Sequence, residues 1–234
     1  MSQNLAPEHF ADWNEQMVRR YDQEAYERGH PSGVVRWVEN KRVRAVLRKL
    51  NARPEHRILD VGCGAGYMLS QLSKSATGGE LHGIDLSKSM SERAQQLLGN
   101  TAKIVHGDAE QMPYADAYFD RVIASSLFSH VLHPETVVLQ LKRILKPDGL
   151  IVISVCDDDR IERGIRWTQT LGLQKRFFGK PDKEGMTPGY SIEYHLHRFS
   201  LNRMREVVGG NLTEAALTKA PFVFPVHWIA VYKK

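Results

Sequence analysis

The stretch ILDVGCGAG, Ile58 to Gly66, decides how the rest of the chain is read. Ile58, Leu59 and Val61 form an apolar run broken by Asp60, which suits a buried strand carrying one polar side chain near its end. Gly62, Gly64 and Gly66 follow in a G-x-G-x-G pattern, and Met68, Leu69 and Leu72 then repeat at helical spacing. Strand, glycine turn and helix in this order let the backbone approach a ligand closely, because glycine lacks the Cβ that would hold it off. A dinucleotide fingerprint requires Gly or Ala where this chain has Tyr67, so that reading fails.

Outward from this turn, strand and helix alternate. Strands are expected at 57–61, 80–84, 102–106, 119–125 and 149–155, with helices at about 65–74, at about 88–98 and from Pro134 to Lys146. Pro134 suits a first helical turn, and Lys146-Pro147-Asp148-Gly149 reads as a helix stop and a turn. Alternation of this kind builds a parallel sheet with helices on both faces and puts ligands at the carboxyl ends of the strands. Ahead of it, Trp13, Met17 and Tyr21 keep helical spacing, Gly29 to Gly33 interrupt, and a second helix runs from about Val34 to Leu50. After 156 the regular pattern lapses into Asp157, Asp158 and Asp159, a helix around Ile161 to Leu171, and a Gly/Pro-punctuated stretch from Phe178 to Tyr190. It resumes in HRFSLNRMREVVGG, a helix with Ser200 as N-cap, and in NLTEAALTKA and FVFPVHWIAVYKK, which read as two closing strands.

A chain of 234 residues, 42% of them hydrophobic, can bury the core of a single α/β domain. The expected division is an N-terminal helical cap at 1–56 and a core at 57–234, with a variable insertion at about 157–198. Two cysteines, Cys63 and Cys156, stand apart at strand ends, which indicates neither a disulfide framework nor a zinc cluster. The net charge of +5 and pI of about 9.2 raise the case for an anionic partner. The basic residues Lys41, Arg42, Arg44, Arg48 and Lys49, however, are spread at helical spacing and read as a solvated helix face. No apolar run approaches the ~20 residues of a membrane span, so a soluble, cytoplasmic protein is expected.

Four elements now stand in order: Asp60 with the G-x-G-x-G turn, Asp85 in GIDLSKSM, GDAEQMP at Gly107 to Pro113, and the LKPDG turn into the fifth strand. Together they resemble the class I S-adenosylmethionine-dependent methyltransferases of the small-molecule, methyltransferase-11-like type, over about 57–156 closely and 198–234 in outline. The resemblance implies a Rossmann-like α/β fold with a seven-stranded, mostly parallel sheet closed by an antiparallel C-terminal hairpin. It also implies S-adenosylmethionine as cofactor. Gly62, Cys63, Gly64 and Gly66 would then lie against the methionyl and ribose portions, with the following helix offering N–H groups to the carboxylate and Asp60 facing the amino end. Asp85 would accept the ribose hydroxyls, Leu86 and Met90 would pack beside adenine, and Gly107, Asp108, Ala109 and Glu110 would meet the adenine edge. Tyr26, like Tyr21, belongs to a segment similar to the Tyr-containing start of many such enzymes, and Ser125 ends the fourth strand on the cofactor side.

Methyl transfer is an in-line displacement at a sulfonium, so positioning and exclusion of water carry much of the rate, and no side-chain nucleophile is obligatory. A base is needed only for an acceptor that must lose a proton. His130, after the fourth strand, is the positional candidate, with His195 and His197 behind it. Cys156 to Asp159 fall where catechol-type O-methyltransferases place an acidic metal ligand, but the fourth strand ends in Ala124-Ser125-Ser126 without the acid those enzymes also use. The reading is a solvated acidic turn or helix N-terminus, and no metal. The [DNS]-P-P-[YFW] signature of adenine-N6 methyltransferases is also missing, which argues against nucleic acid. The expected acceptor is a small molecule, an aromatic ring among the options, since Trp167, Phe177, Phe178, Tyr190 and Tyr194 offer flat apolar surface or else pack as a lid. An RNA or protein methyltransferase, or a cofactor-binding partner protein without transferase activity, are the alternatives.

Overall fold

A computed structural model describes residues 7–28, 33–75, 79–173, 195–222 and 226–234, with the side chains of the first helix described over 9–19. Two helices, α1 (Pro7–Arg28) and α2 (Gly33–Leu50), lead into β1 (Arg57–Val61), α3 (Tyr67–Ser73), β2 (Glu80–Asp85), α4 (Lys88–Leu98) and β3 (Ala102–His106). There follow β4 (Phe119–Ser125), a 3-10 turn at Phe128–His130, α5 (Pro134–Ile144), β5 (Leu145–Cys156), α6 (Asp158–Thr170), α7 (Leu201–Val208), β6 (Thr213–Ala220) and β7 (His227–Lys233).

The seven strands form one sheet in the order β3-β2-β1-β4-β5-β7-β6. The first five are parallel, and β7 runs antiparallel to both β5 and β6. Strand order reverses between β1 and β4, and at such a reversal two crossovers leave in opposite directions and open a crevice beyond the strand ends. Both faces of the sheet are covered, which is why its central strands read as nearly continuous apolar runs. Ile58, Ile123 and Val152 pack under Val43, Val46 and Leu50 of α2 and under α3 and α4. On the other face Leu59, Val122, Ile151 and Ile153 meet Val137, Val138 and Leu141 of α5 and Met204 and Val207 of α7. Each such side chain, taken fully from water, contributes roughly 1.5–3 kcal/mol.

The end of α5 and the starts of β5 and α6 differ from the sequence reading. Helix α5 ends at Ile144, not Lys146, and β5 begins at Leu145, not 149. Leu145 pairs with Phe119, and a register shift between Phe119 and Arg121 absorbs Pro147-Asp148-Gly149 as an irregularity inside the strand, while Lys146 Nζ reaches Asp120 Oδ1 at 2.7 Å. Helix α6 begins at Asp158, ahead of Ile161, because the Asp157 side chain accepts the Arg160 N–H and caps it. Ser200 caps α7 as read, accepting from the Arg203 N–H. Among the described residues no helix is long and apolar enough to cross a membrane.

Candidate active site

The turn after β1 is held in shape by β2. The N–H groups of Gly62 and Cys63 donate to Ile84 O at 2.8 and 3.1 Å. Asp85 then accepts the Gly64 N–H on Oδ2 at 2.8 Å and the Ser87 N–H on Oδ1 at 2.9 Å, so one carboxylate organises both turns. Gly64 has φ +52°, and a Cβ there would meet nothing within 4 Å: the turn faces open space at this residue. Gly66, at φ +84°, is the opposite case, since its Cβ would lie 2.9 Å from Leu98 Cδ1 and 3.3 Å from Ala94 Cα. One glycine leaves room for a ligand and the other seats α3 against α4.

Charge is concentrated where the turn is open. Asp60 is 3% exposed. Burial raises its carboxyl well above the usual range, the neighbouring Asp85 raises it further, and Arg42 opposes both. Burial likewise raises Asp85, against the lowering effect of the Ser87 and Gly64 N–H groups. Cys63, buried below the turn, has its thiol pushed up by burial and by Asp85 and Asp60. Two buried carboxyls that each disfavour ionisation beside an open backbone make a niche that a cationic group would stabilise.

After β3, Gly107 N donates to Asp85 O at 2.9 Å and Asp108 Oδ1 accepts the Glu110 N–H at 2.8 Å, with burial raising the Asp108 carboxyl. Ala109 and Met90 are buried, and Leu86 is half-buried with its carbonyl 2.9 Å from His106 Nε2. The Glu110 carboxylate turns to His133, meeting its N–H at 2.8 Å and its Nδ1 at 2.7 Å, at the start of α5. Ser125 Oγ bridges Ser154 Oγ, at 2.7 Å, and the Arg42 guanidinium. The side chains of Tyr21 and Tyr26 lie outside the described residues. Helix α1 is tied to the β2–α4 turn by Ser87 Oγ, which donates to Glu15 Oε2 at 2.6 Å.

Arg42 corrects the reading of α2 as a uniformly solvated basic face. Lys41, Arg44 and Arg48 are exposed, but the Arg42 side chain is only 13% exposed and reaches the end of β4. The sequence does hold a signal for this. Val38 and Val46, both buried, stand four residues to either side of Arg42, which places it in the apolar stripe and not on the polar face.

A second group assembles beyond β4. Ser129 O accepts the Leu196 N–H at 2.8 Å and the His197 N–H at 3.4 Å, and His197 Nε2 lies 3.1 Å from Leu132 O, which docks 195–197 on the 3-10 turn. The rings of His130 and His195 meet edge to face with centroids 5.0 Å apart. His195 Nδ1 lies 3.1 Å from Asp158 Oδ1, and Asp158 Oδ2 accepts the Phe199 N–H at 2.7 Å. The acidic triplet is therefore not a solvated turn. Asp159 is exposed and pairs with Arg198, but Asp157 and Asp158 are buried, Asp157 accepting the Trp228 Nε1–H at 2.8 Å. It is the N-terminus of α6, as the other half of that reading held. Among the described residues no three His, Cys, Asp or Glu side chains are grouped to hold a metal ion. Trp167 is 65% exposed on α6, while Phe177, Phe178, Tyr190 and Tyr194 lie outside the described residues. A hollow of about 460 Å³, lined by His56, Asp120, Arg121 and Lys146 among others, opens at the opposite ends of the strands and takes no part in this arrangement.

A family model described as a methyltransferase domain matches residues 59–153, from β1 through most of β5. Residues 59–153 of this chain thus carry a methyltransferase domain. Curated relatives include a malonyl-[acyl-carrier protein] O-methyltransferase of Halalkalibacterium halodurans, 34% identical over 119 residues that cover 48% of this chain and 44% of the relative. A demethylmenaquinone methyltransferase of Staphylococcus aureus is 34% identical over 110 residues, covering 46% of each. The chain thus spans less than half the length of these relatives. A solved S-adenosylmethionine-dependent methyltransferase from Aquifex aeolicus shares the fold at a TM-score of 0.63 and 16% identity, covering 94% of this chain and 97% of that one. The family match takes in the glycine turn, Asp85 and Asp108, and stops short of Asp158 and His195.

Proposed function

We propose that this methyltransferase moves the methyl group of S-adenosylmethionine onto an O, N or C atom of a small molecule. The reading is carried by the niche of Asp60 and Asp85 facing the open backbone at Gly64, at the reversal of strand order. When bound, S-adenosylmethionine supplies an electrophilic methyl group on a positively charged sulfur. Asp60 would hold its ammonium, and Arg42, whose guanidinium has five donors, its carboxylate. Each oxygen of Asp85 accepts one backbone N–H and keeps a further lone pair for the ribose hydroxyls. Asp108 and the Ala109 N–H would take the adenine edge, beside Leu86 and Met90.

On the acceptor side, His195 would remove a proton, with Asp158 orienting the imidazole and His130 packed against it. Residues 1–56 and 157–198 would cover the acceptor and exclude water. Holding the two reactants in line is worth up to ~7–11 kcal/mol without covalent help from the protein. The names of the two relatives, one for a malonyl carrier and one for demethylmenaquinone, support an acceptor outside nucleic acid. The test is calorimetry with S-adenosylmethionine. Asp85→Ala, which loses the ribose contacts and frees the Gly64 N–H, should weaken binding at least ~30-fold, and an unchanged affinity would remove the assignment.

A further inference from the structure

Beneath α2 the polar contacts continue past Arg42 into a cluster that methyl transfer leaves unused. Arg42 Nε donates to Glu39 Oε2 at 3.0 Å, Glu39 Oε1 lies 3.3 Å from His227 Nε2, and His227 Nδ1 lies 3.5 Å from Cys156 Sγ. Cys156 ends β5 and His227 opens β7, and the two are direct partners in the antiparallel ladder, so the backbone itself sets thiol beside imidazole. His227 is 1% exposed, whereas Cys156 and Glu39 are only partly buried. A sulfur, an imidazole and a carboxylate in a row, with the imidazole buried and the sulfur only partly so, is the arrangement that makes a cysteine nucleophilic.

We propose that Cys156 is a reactive thiol, with His227 taking its proton and Glu39 orienting the imidazole, and that its reaction partners are hydroperoxides. The sulfur attacks one peroxide oxygen, an S–O bond forms as the O–O bond breaks, and the departing oxygen leaves as water or alcohol with the proton His227 held. Cysteine becomes sulfenic acid, a two-electron oxidation matched by reduction of the peroxide.

The surroundings suit this chemistry. Among the described residues, Glu39 and Arg42 from α2 and Cys156 from β5 are the charged and titratable groups placed around His227. Opposite it on β6 is Ala220, and the neighbouring contacts of Cys156 are the apolar Ile161, Ile165, Val38 and Val226. Asp157 and Arg160 gather instead around Trp228, the next residue of β7, whose side chain points to the other face. Burial would lower His227, but Cys156 and Glu39 outweigh it and push the imidazole up to about 9. Burial would raise Glu39, and Arg42 and His227 overcome it to hold the carboxyl well below its usual range.

Cys63 is an internal control: it is buried, and its thiol is driven up by burial, Asp85 and Asp60. The full chain is treated with hydrogen peroxide and a sulfenic-acid trap, and in parallel with iodoacetamide, and both cysteines are followed by peptide mass spectrometry. No methyl donor is needed, so the outcome is independent of the cofactor assignment. Cys156 should be labelled while Cys63 is not. The rate at pH 7 should drop about tenfold in His227→Gln and about fivefold in Glu39→Gln. Should His227→Gln fail to fold, Glu39→Gln, at the half-exposed end of the row, decides. A wild-type rate unmoved by Glu39→Gln overturns the proposal, as does preferential labelling of Cys63.

Discussion

Asp85 and Asp158 are both carboxylates at a strand-to-helix junction, and each accepts a backbone N–H from a distant part of the chain. Asp85 reaches Gly64, 21 residues away, on the neighbouring strand of the same sheet. Asp158 reaches Phe199, 41 residues away, in a segment that lies outside the sheet altogether. The first bond joins two parts whose relative position the hydrogen-bonded ladder has already settled. The second holds a piece that could be longer, shorter or differently folded without disturbing the strands. The family match follows the same division, ending at 153 before Asp158. On the proposed function, Asp85 serves the donor half of the site and Asp158 its acceptor half.

The largest test of this division is one substitution made at two glycines of the donor half. Gly66→Ala combines left-handed strain with a Cβ pressed on Leu98 and Ala94, and should cost about 3 kcal/mol in chemical denaturation. Gly64→Ala meets only open space, so its stability cost should stay near the strain alone, about 1–2 kcal/mol, with cofactor affinity bearing the rest. A greater loss of stability at 64 than at 66 would reverse the roles given to them.

The acceptor half is probed by Asp158→Asn, which removes the charge beside His195. Turnover should fall on the order of 100-fold, with a shifted pH profile, while donor affinity stays within about twofold. Collapse of donor affinity would mean that the halves are not separable.

A smaller effect concerns pH. The carboxyls of Asp60 and Asp85 are raised in the free fold, so their contribution to stability is present at low pH and is lost as pH rises through those raised values. A cationic ligand reverses this by favouring the ionised forms, so binding releases protons and tightens as pH rises. Affinity should change by several-fold per unit, at most about tenfold for each carboxyl, below the raised values and flatten above them. Asp60→Asn should shrink the slope, and a cofactor affinity that improves on acidification would contradict the cationic niche.

The geometry around the glycine turn was legible in the sequence because it is written in short segments. A buried strand, a glycine turn and an aspartate at the next strand end are each contained within a few residues, and alternation of strand and helix orders them. The group around Asp158 was not. Asp158 reads as one of three solvated acids until Phe199 and His195 are brought to it, and nothing near residue 158 announces them. Arg42 was hidden by its own type, since arginine on a helix suggests solvent even when it occupies the valine stripe. The early start of β5 depends on Leu145 finding Phe119 across a register shift, a contact that local turn residues contradict.

The position of β7 between β5 and β6 has a consequence for biosynthesis. A ribosome delivers β6 before β7, so β6 emerges with no strand to pair with, and β5 waits with one edge bare. The parallel part of the sheet can condense as it is translated, whereas the antiparallel part must be completed by insertion of a late strand between two earlier ones. During that interval the free edge of β5 and the unpaired β6 are exposed templates for wrong pairing until β7 fills the place between them.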